Sequence, residues 1–217
     1  MAGRPAVGGG RWVEVAPGRV ARWVEGFADR HGPPTITVQA YGLLLAAPDG
    51  ATAALHTPPG APATSDVPGF VAAATTPRRI GLLLARKGAV AVGVAAGEKL
   101  VVSKVDTSYV QGRTAAGGWS QQRFARRRDN QAKAALGDAA DLAVRLLLPE
   151  VPSLSALVCG GDRRAVDTVL ADRRLAPLAA LRADRLLDVP EPRHAVLVGA
   201  IAAAHTVRVL VRDPEPS

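Results

Sequence analysis

The sequence predicts an α/β protein whose main domain is a mixed sheet flanked by helices. Three observations carry that prediction. Between Arg79 and Val105, three short apolar runs are separated by the tight turns Arg86-Lys87-Gly88 and Ala96-Gly97-Glu98, the pattern of an antiparallel meander. From Ser120 to Leu148 the chain is amphipathic at helical spacing, and Pro149 closes it. Beyond that point, strand-like and helical runs alternate up to Val211, which calls for crossover connections onto the same sheet.

The elements follow in order. Residues 1–10 read as a flexible tail, and Trp12 to Val15 as a short strand. Pro17 suits a first helical turn, and Val20, Trp23, Val24 and Phe27 recur at helical spacing before His31-Gly32-Pro33-Pro34 stops the helix. Thr35 to Ala40 and Gly42 to Ala47 read as strands, and Pro48-Asp49-Gly50 turns the chain into Ala51 to His56. Residues 11–57 therefore form a small α/β module, which either helps dock the protein on its partner or packs as an extension of the main sheet. Residues 58–78, rich in proline and glycine, read as a linker. The main domain spans 79–211, and 212–217 is a second tail. Within it the meander strands are Arg79 to Ala85, Ala89 to Ala95 and Lys99 to Val105. The long helix follows, then a strand at Leu154 to Val158, a helix at Asp162 to Ala171, a loose strand at Leu181 to Leu187, an apolar helix at Glu191 to His205 and a last strand at Val207 to Val211. The order βββ-α-β-α-β-α is that of RNase H-like folds.

Composition bounds the function. The 217 residues carry 27 Lys plus Arg against 19 Asp plus Glu, a formal charge of +8 that favours a polyanionic partner. Cys159 is the one cysteine, so an intrachain disulfide and a cysteine-rich zinc site are both excluded. That cysteine usage fits the cytoplasm. No apolar run approaches the ~20 residues of a membrane span, and the first ten residues lack the apolar stretch of a secretory signal.

The charge is concentrated. Between Lys104 and Lys133 lie seven basic residues (Lys104, Arg113, Arg123, Arg126, Arg127, Arg128 and Lys133) and two acids (Asp106 and Asp129). On a helix, Arg123, Arg126, Arg127, Asn130 and Lys133 share one face, while Phe124, Ala135, Ala139, Leu142 and Leu146 follow the apolar side. A planar guanidinium suits phosphate oxygens, so the stripe fits an RNA backbone. It opens from a glycine-bearing loop with the pair Gly117-Gly118 and the pair Gln121-Gln122.

The run from Gly117 to Arg128, GGWSQQRFARRR, resembles the GGQ loop and helix start of the archaeal and eukaryotic peptide-chain release factors. The matching positions are Gly117, Gly118, Ser120, Arg123, Phe124, Arg126 and Arg128. It resembles more closely the Vms-like release factors, peptidyl-tRNA hydrolases of ribosome-associated quality control, and within them the actinobacterial branch. The resemblance covers residues 79–205 in outline, and its specific part is the loop and helix start. One position departs: Trp119 occupies the family's glutamine slot, and the glutamines follow two and three places later. In the Vms-like group the catalytic glutamine commonly follows a small residue, so the resemblance, through Ser120-Gln121, implies Gln121 as catalytic, with Gln122 second.

The resemblance implies hydrolysis of the peptidyl-tRNA ester in the peptidyl transferase centre of the large ribosomal subunit, with rRNA and peptidyl-tRNA as partners, and without metal, cofactor, membrane or DNA. With no room beside the assigned modules for a codon-reading domain, release is expected to be codon-independent and to serve stalled ribosomes. Glycines at 117 and 118 suit a loop that must enter an RNA tunnel. A glutamine amide is too weak a base to take a proton, so its role is to position water or present an amide to the developing oxyanion. Arg113, Arg123, Arg126, Arg127, Arg128, Lys133 and Lys104 hold phosphates. Trp119 either stacks on a base or folds back on the sheet. The alternative is a non-hydrolytic ribosome- or tRNA-binding factor, for which Trp119 in the glutamine slot is the argument.

Other chemistries find little support. The strands offer no acid cluster for a two-metal nuclease beyond Glu98 and Asp106 at strand ends. There is no nucleophile elbow. Cys159 reads as a buried structural thiol, and His194 and His205 as cap residues of the last helix. Gly160-Gly161-Asp162 reads either as a phosphate-binding turn or as a strand-to-helix connection with Asp162 as N-cap.

Overall fold

The computed structural model describes residues 3–86, 89–107 and 137–214. Two compact units share the chain: one takes Met1–Pro77 and Ala204–Ser217, the other Arg78–Ala203. The protein is mixed α/β, with two sheets and six α-helices among the described residues.

The first unit is built on a six-stranded sheet in the order β1-β2-β11-β5-β4-β3. Its strands are β1 (Arg4–Pro5), β2 (Arg11–Val15), β3 (Thr35–Gln39), β4 (Gly42–Ala46), β5 (Thr52–His56) and β11 (Val207–Arg212). All neighbours pair antiparallel. Alternation decides the faces: Val13, Val15, Leu43, Leu45, Ala53, Leu55, Val207, Val209 and Val211 join one core with Val20 and Phe27 of helix α1 (Val20–His31) and Phe70 of helix α2 (Val67–Thr75). The Asp49 carboxylate closes the β4–β5 hairpin by accepting from the Ala51 N–H at 2.9 Å. That hydrogen bond, and then the His31 Nδ1 contact at 2.8 Å, hold its carboxyl below the ordinary range.

Four readings of the sequence change here. The expected linker contains helix α2, because Asp66 caps it by accepting from the Gly69 N–H at 2.7 Å, Pro68 sits in the first turn where it costs no hydrogen bond, and Phe70 anchors it in the core. The last strand, expected in the main sheet, lies between β2 and β5 of the first one. The expected N-terminal tail contributes β1, which pairs with β2. The C-terminal one begins with Arg212 still in β11 and Asp213 ion-paired to Arg11.

The second unit carries a five-stranded sheet in the order β10-β9-β6-β7-β8. Strands β6 (Arg79–Arg86), β7 (Ala89–Ala96) and β8 (Lys99–Thr107) form the expected meander. Strand β9 (Ala156–Gly161) pairs parallel with β6, and β10 (Arg182–Leu187) parallel with β9. Strand β9 begins two residues later than expected, because a 3-10 segment at Leu148–Ser153 follows helix α3, described over residues 137–147. Arg79 holds that segment, with Nε and Nη2 donating to Glu150 Oε2 at 3.0 and 2.7 Å. Helix α4 (Arg163–Leu170), a 3-10 turn at Arg173–Leu175 and the short α5 (Ala176–Ala179) lie between β9 and β10. Helix α6 (His194–His205) starts three residues later than the sequence suggested, and His194 and His205 are its first and last residues.

One face of this sheet carries Leu83, Ala85, Val90, Val92, Val94 and Cys159, packed in one core with α3, α4 and Leu178 of α5. The other face meets α6 at Gly93, where a Cβ would lie 3.0 Å from Leu100 Cδ1 and 3.0 Å from Leu197 Cδ2. Glycine there lets the helix approach the sheet closely. The edge strand β8 is bulged: Val102 stands opposite Val94 and Leu100 opposite Ala95, so Val101 has no cross-strand partner and is 54% exposed. A bulge of this kind twists an edge away from further strand pairing.

Candidate functional site

The strand directions put several chain ends together. Strands β6, β9 and β10 are parallel, and β8 runs the same way because it is two antiparallel steps from β6. Arg86, Gly161, Leu187 and Thr107 therefore all lie at one end of the sheet. In open α/β sheets the carboxyl ends of strands are where ligands bind.

The same end holds both flanks of residues 108–136. The segment leaves from Thr107 at the end of β8. It returns at α3, which starts from this end, because its last residue, Leu147, reaches Gly81 near the start of β6. Helix α3 is held down by Ala139, Ala140, Leu142, Ala143 and Leu147, all buried in the core of the unit. A second tie comes from Arg174, whose guanidinium donates to Asp141 of α3 at 2.7 Å and to Asp172 at 2.6 Å. The hydrogen bonds from Arg174, side chain first and backbone second, hold the Asp172 carboxyl down to about 2.

Of the predicted site residues, the structure describes one. Lys104 lies on β8 opposite Val92, on the sheet face that α3 covers, and is exposed at the strand's edge. Its ammonium therefore stands next to the root of the segment that carries the motif. Arg113, Gly117, Gly118, Trp119, Gln121, Gln122, Arg123, Arg126, Arg127, Arg128 and Lys133 lie outside the described residues, as do residues 120–136 of the expected long helix.

The sequence did not single out Arg86, Asp188 or Glu191 at this sheet end. Arg86, Gly161, Asp162 and Glu191 line an open cleft of about 430 Å³. Arg86 reaches Asp188 at 3.6 Å. Only the topology brings them together, since they come from β6 and from the segment after β10. Among its described lining residues, two carboxylates stand against one guanidinium. Asp162 already caps α4, its carboxylate accepting from the Ala165 N–H at 3.0 Å, and with Glu191 it makes the mouth acidic. Of the two readings of Gly160-Gly161-Asp162, the structure has the strand-to-helix connection. Gly161 stands at φ +95°, and a Cβ there would collide with the Ala85 carbonyl, so glycine suits the position on both counts.

The remaining candidates are structural. Cys159 is fully buried in β9, and burial pushes its thiol up to about 12. A thiol so protonated is no nucleophile near neutral pH. Among the described residues no group of three or more His, Cys, Asp or Glu side chains could hold a metal ion. None of the described helices is long and apolar enough to cross a membrane.

A search among curated proteins gives no match. Among solved structures, the crystal structure of archaeal translation termination factor aRF1 is similar at 14% identity and a TM-score of 0.43, over 89% of this chain and 66% of that one. A second, described as an archaeal protein, is similar at 16% identity and a TM-score of 0.39, over 74% of this chain and 52% of that one. The chain thus spans less than two-thirds of the length of either. The family model for the Actinobacteria/chloroflexi VLRF1 release factor matches residues 78–210, which is well over half of the chain and includes the whole of the segment rooted between β8 and α3. The chain belongs to the Actinobacteria/chloroflexi VLRF1 release factor family.

Proposed function

We propose that the protein hydrolyses the ester of peptidyl-tRNA in the peptidyl transferase centre of the large ribosomal subunit, without reading a codon, on stalled ribosomes. The observation that carries this is the family match over residues 78–210, within which the GGWSQQRFARRR run from Gly117 to Arg128 stands. The strand order of the second unit supports reading it as RNase H-like: a three-stranded antiparallel meander, with β9 and β10 added parallel beside its first strand.

The chemistry assigned to the motif is positioning. Gly117 and Gly118 keep the loop narrow enough to enter RNA. Gln121 orients a water in line with the ester carbonyl, or offers an amide to the oxyanion as it forms, and Gln122 is the second choice. The proton goes to ribosomal RNA or the tRNA 2′-hydroxyl. Arg113, Arg123, Arg126, Arg127, Arg128 and Lys133 take phosphates, with Lys104 at the root of the segment, and Trp119 stacks on an unpaired base.

The test is peptide release from peptidyl-tRNA bound to isolated large subunits. Wild-type protein releases the peptide, Gln121→Ala lowers the rate by about 100-fold, the scale of losing one oxyanion donor, and no stop codon is needed. Release that survives Gln121→Ala and fails in Gln122→Ala moves the role to Gln122. Trp119 in the family's glutamine slot favours one other reading, a non-hydrolytic ribosome-binding factor. Binding to large subunits with no release by wild-type protein establishes that reading instead.

A further inference from the structure

The six-stranded sheet of the first unit has a second face, opposite its core. Strand register places Arg4, Trp12, Leu210, Ala54 and Leu44 in one row across it, and Glu14, Arg208, His56 and Gly42 in the next. Three aromatic rings meet there. Tyr41, from the β3–β4 turn, stacks on His56 with centroids 4.7 Å apart and planes at 17°. The Trp12 ring meets His56 edge-on at 4.9 Å. The Arg208 guanidinium lies over the Trp12 ring, 3.9 Å from its centroid. Trp12, Tyr41, His56 and Arg208 are all half-exposed.

We propose that this face binds single-stranded RNA, with unpaired bases stacking on the Trp12 and Tyr41 rings and Arg208 and Arg212 taking the adjacent phosphates. Aromatic rings laid on a sheet face with arginines beside them are a platform for splayed bases. The charge agrees, since Arg4, Arg208 and Arg212 share the face with one acid, Glu14. Each outer ring has one face on a neighbour, Tyr41 on His56 and Trp12 on Arg208, and the proposal assigns the other to a base. Burial first, and the Arg208 charge second, hold His56 below its ordinary value, so near neutral pH it is an uncharged ring in the stack. A duplex keeps its bases stacked inside and offers these rings nothing, and an acidic peptide would use the arginines but not the rings. The face is made of β1 to β5 and β11, none of which includes any of residues 108–136, so the proposal stands or falls apart from peptide release.

The experiment uses the whole protein. A short single-stranded RNA containing 4-thiouridine is photo-crosslinked to it and the crosslinked peptides are identified by mass spectrometry. Crosslinks at Trp12 or Tyr41 are expected, in addition to any within residues 108–136. In parallel, anisotropy with a fluorescein-labelled RNA is measured with Arg126, Arg127 and Arg128 each replaced by Gln, to remove the basic helix. In that background Trp12→Ala and Tyr41→Ala each weaken binding about tenfold, the scale of one lost base stack, and Trp12→Phe restores most of it. Crosslinks confined to residues 108–136 overturn the proposal, and this readout needs no variant to fold. Equal competition by duplex RNA overturns it, as does displacement of the RNA by an acidic peptide at equal concentration, which would mark a protein-docking face. A protein that crosslinks at Trp12 or Tyr41 yet releases no peptide keeps this inference and loses the hydrolase.

Discussion

Leu142→Ala tests whether α3 is anchored as described. Leu142 is 3% exposed and sits in the core that α3 shares with the five-stranded sheet. Truncation removes about three carbons, which at ~0.8 kcal/mol each is about 2.4 kcal/mol of lost burial. A cavity adds to this, because the other buried residues near it on α3 are Ala139, Ala140 and Ala143, which are too short to fill the space. The total is about 3–4 kcal/mol, within the usual span for a buried leucine. With a urea slope of about 2 kcal/mol/M, the midpoint of the second unit falls by about 1.5–2 M at unchanged slope. Urea titration followed by circular dichroism reads the shift directly. A change below about 0.5 M would refute the packing, and with it the claim that the far flank of residues 108–136 is fixed by the core.

Three further outcomes are expected. Gly93→Ala puts a methyl 3.0 Å from Leu100 Cδ1 and Leu197 Cδ2 and 3.1 Å from the Val102 carbonyl oxygen; the overpacking costs about 1–3 kcal/mol, seen as a lowered melting temperature, and an unchanged one refutes the close approach of α6. Cys159, with its thiol pushed up to about 12 by burial, leaves an aromatic disulfide reagent unreacted at pH 8 in native protein and titrates as one thiol in guanidinium; prompt native reaction contradicts its place in β9. His56 titrates below 6.5 by NMR, because burial and then Arg208 disfavour its charged form, and Arg208→Gln moves it upward. The sign follows from the lowered value. The unfolded chain takes up the proton first, so this contribution to stability is whole above 6.5 and is lost as pH falls through the folded value.

Periodicity made the meander of the second unit legible, because β6 and β7 are apolar runs ended by glycine turns and three strands so joined have one simple arrangement. It served less well where partners had to be chosen. Val207, Val209 and Val211 alternate visibly, and alternation names the buried face of β11 but not the sheet it enters. Helix α2 was hidden because Pro68 and Gly69 are breakers in general, and only the position of Pro68, in the first turn after the Asp66 cap, makes it permissible. The family was legible in the GGWSQQRFARRR run from Gly117 to Arg128, and the family match over residues 78–210 agrees with it. The cleft at Arg86, Gly161, Asp162 and Glu191 was not, since its residues are brought together by the parallel pairing of β6 and β9 and by the turn after β10.

The position of β11 bears on how the chain matures. Its two neighbours, β2 and β5, precede Arg78–Ala203 in the chain, and their shared hydrogen-bonding partner follows it. Until β11 is made, β2 and β5 each lack the strand that hydrogen-bonds one of their edges. The pairings of β11 with β2 and β5 span the whole of Arg78–Ala203, and contacts so distant in sequence slow the closing of a sheet. Without Val207–Arg212 the second sheet keeps all five of its strands, while β2 and β5 are left with open edges of the kind that pair with other chains.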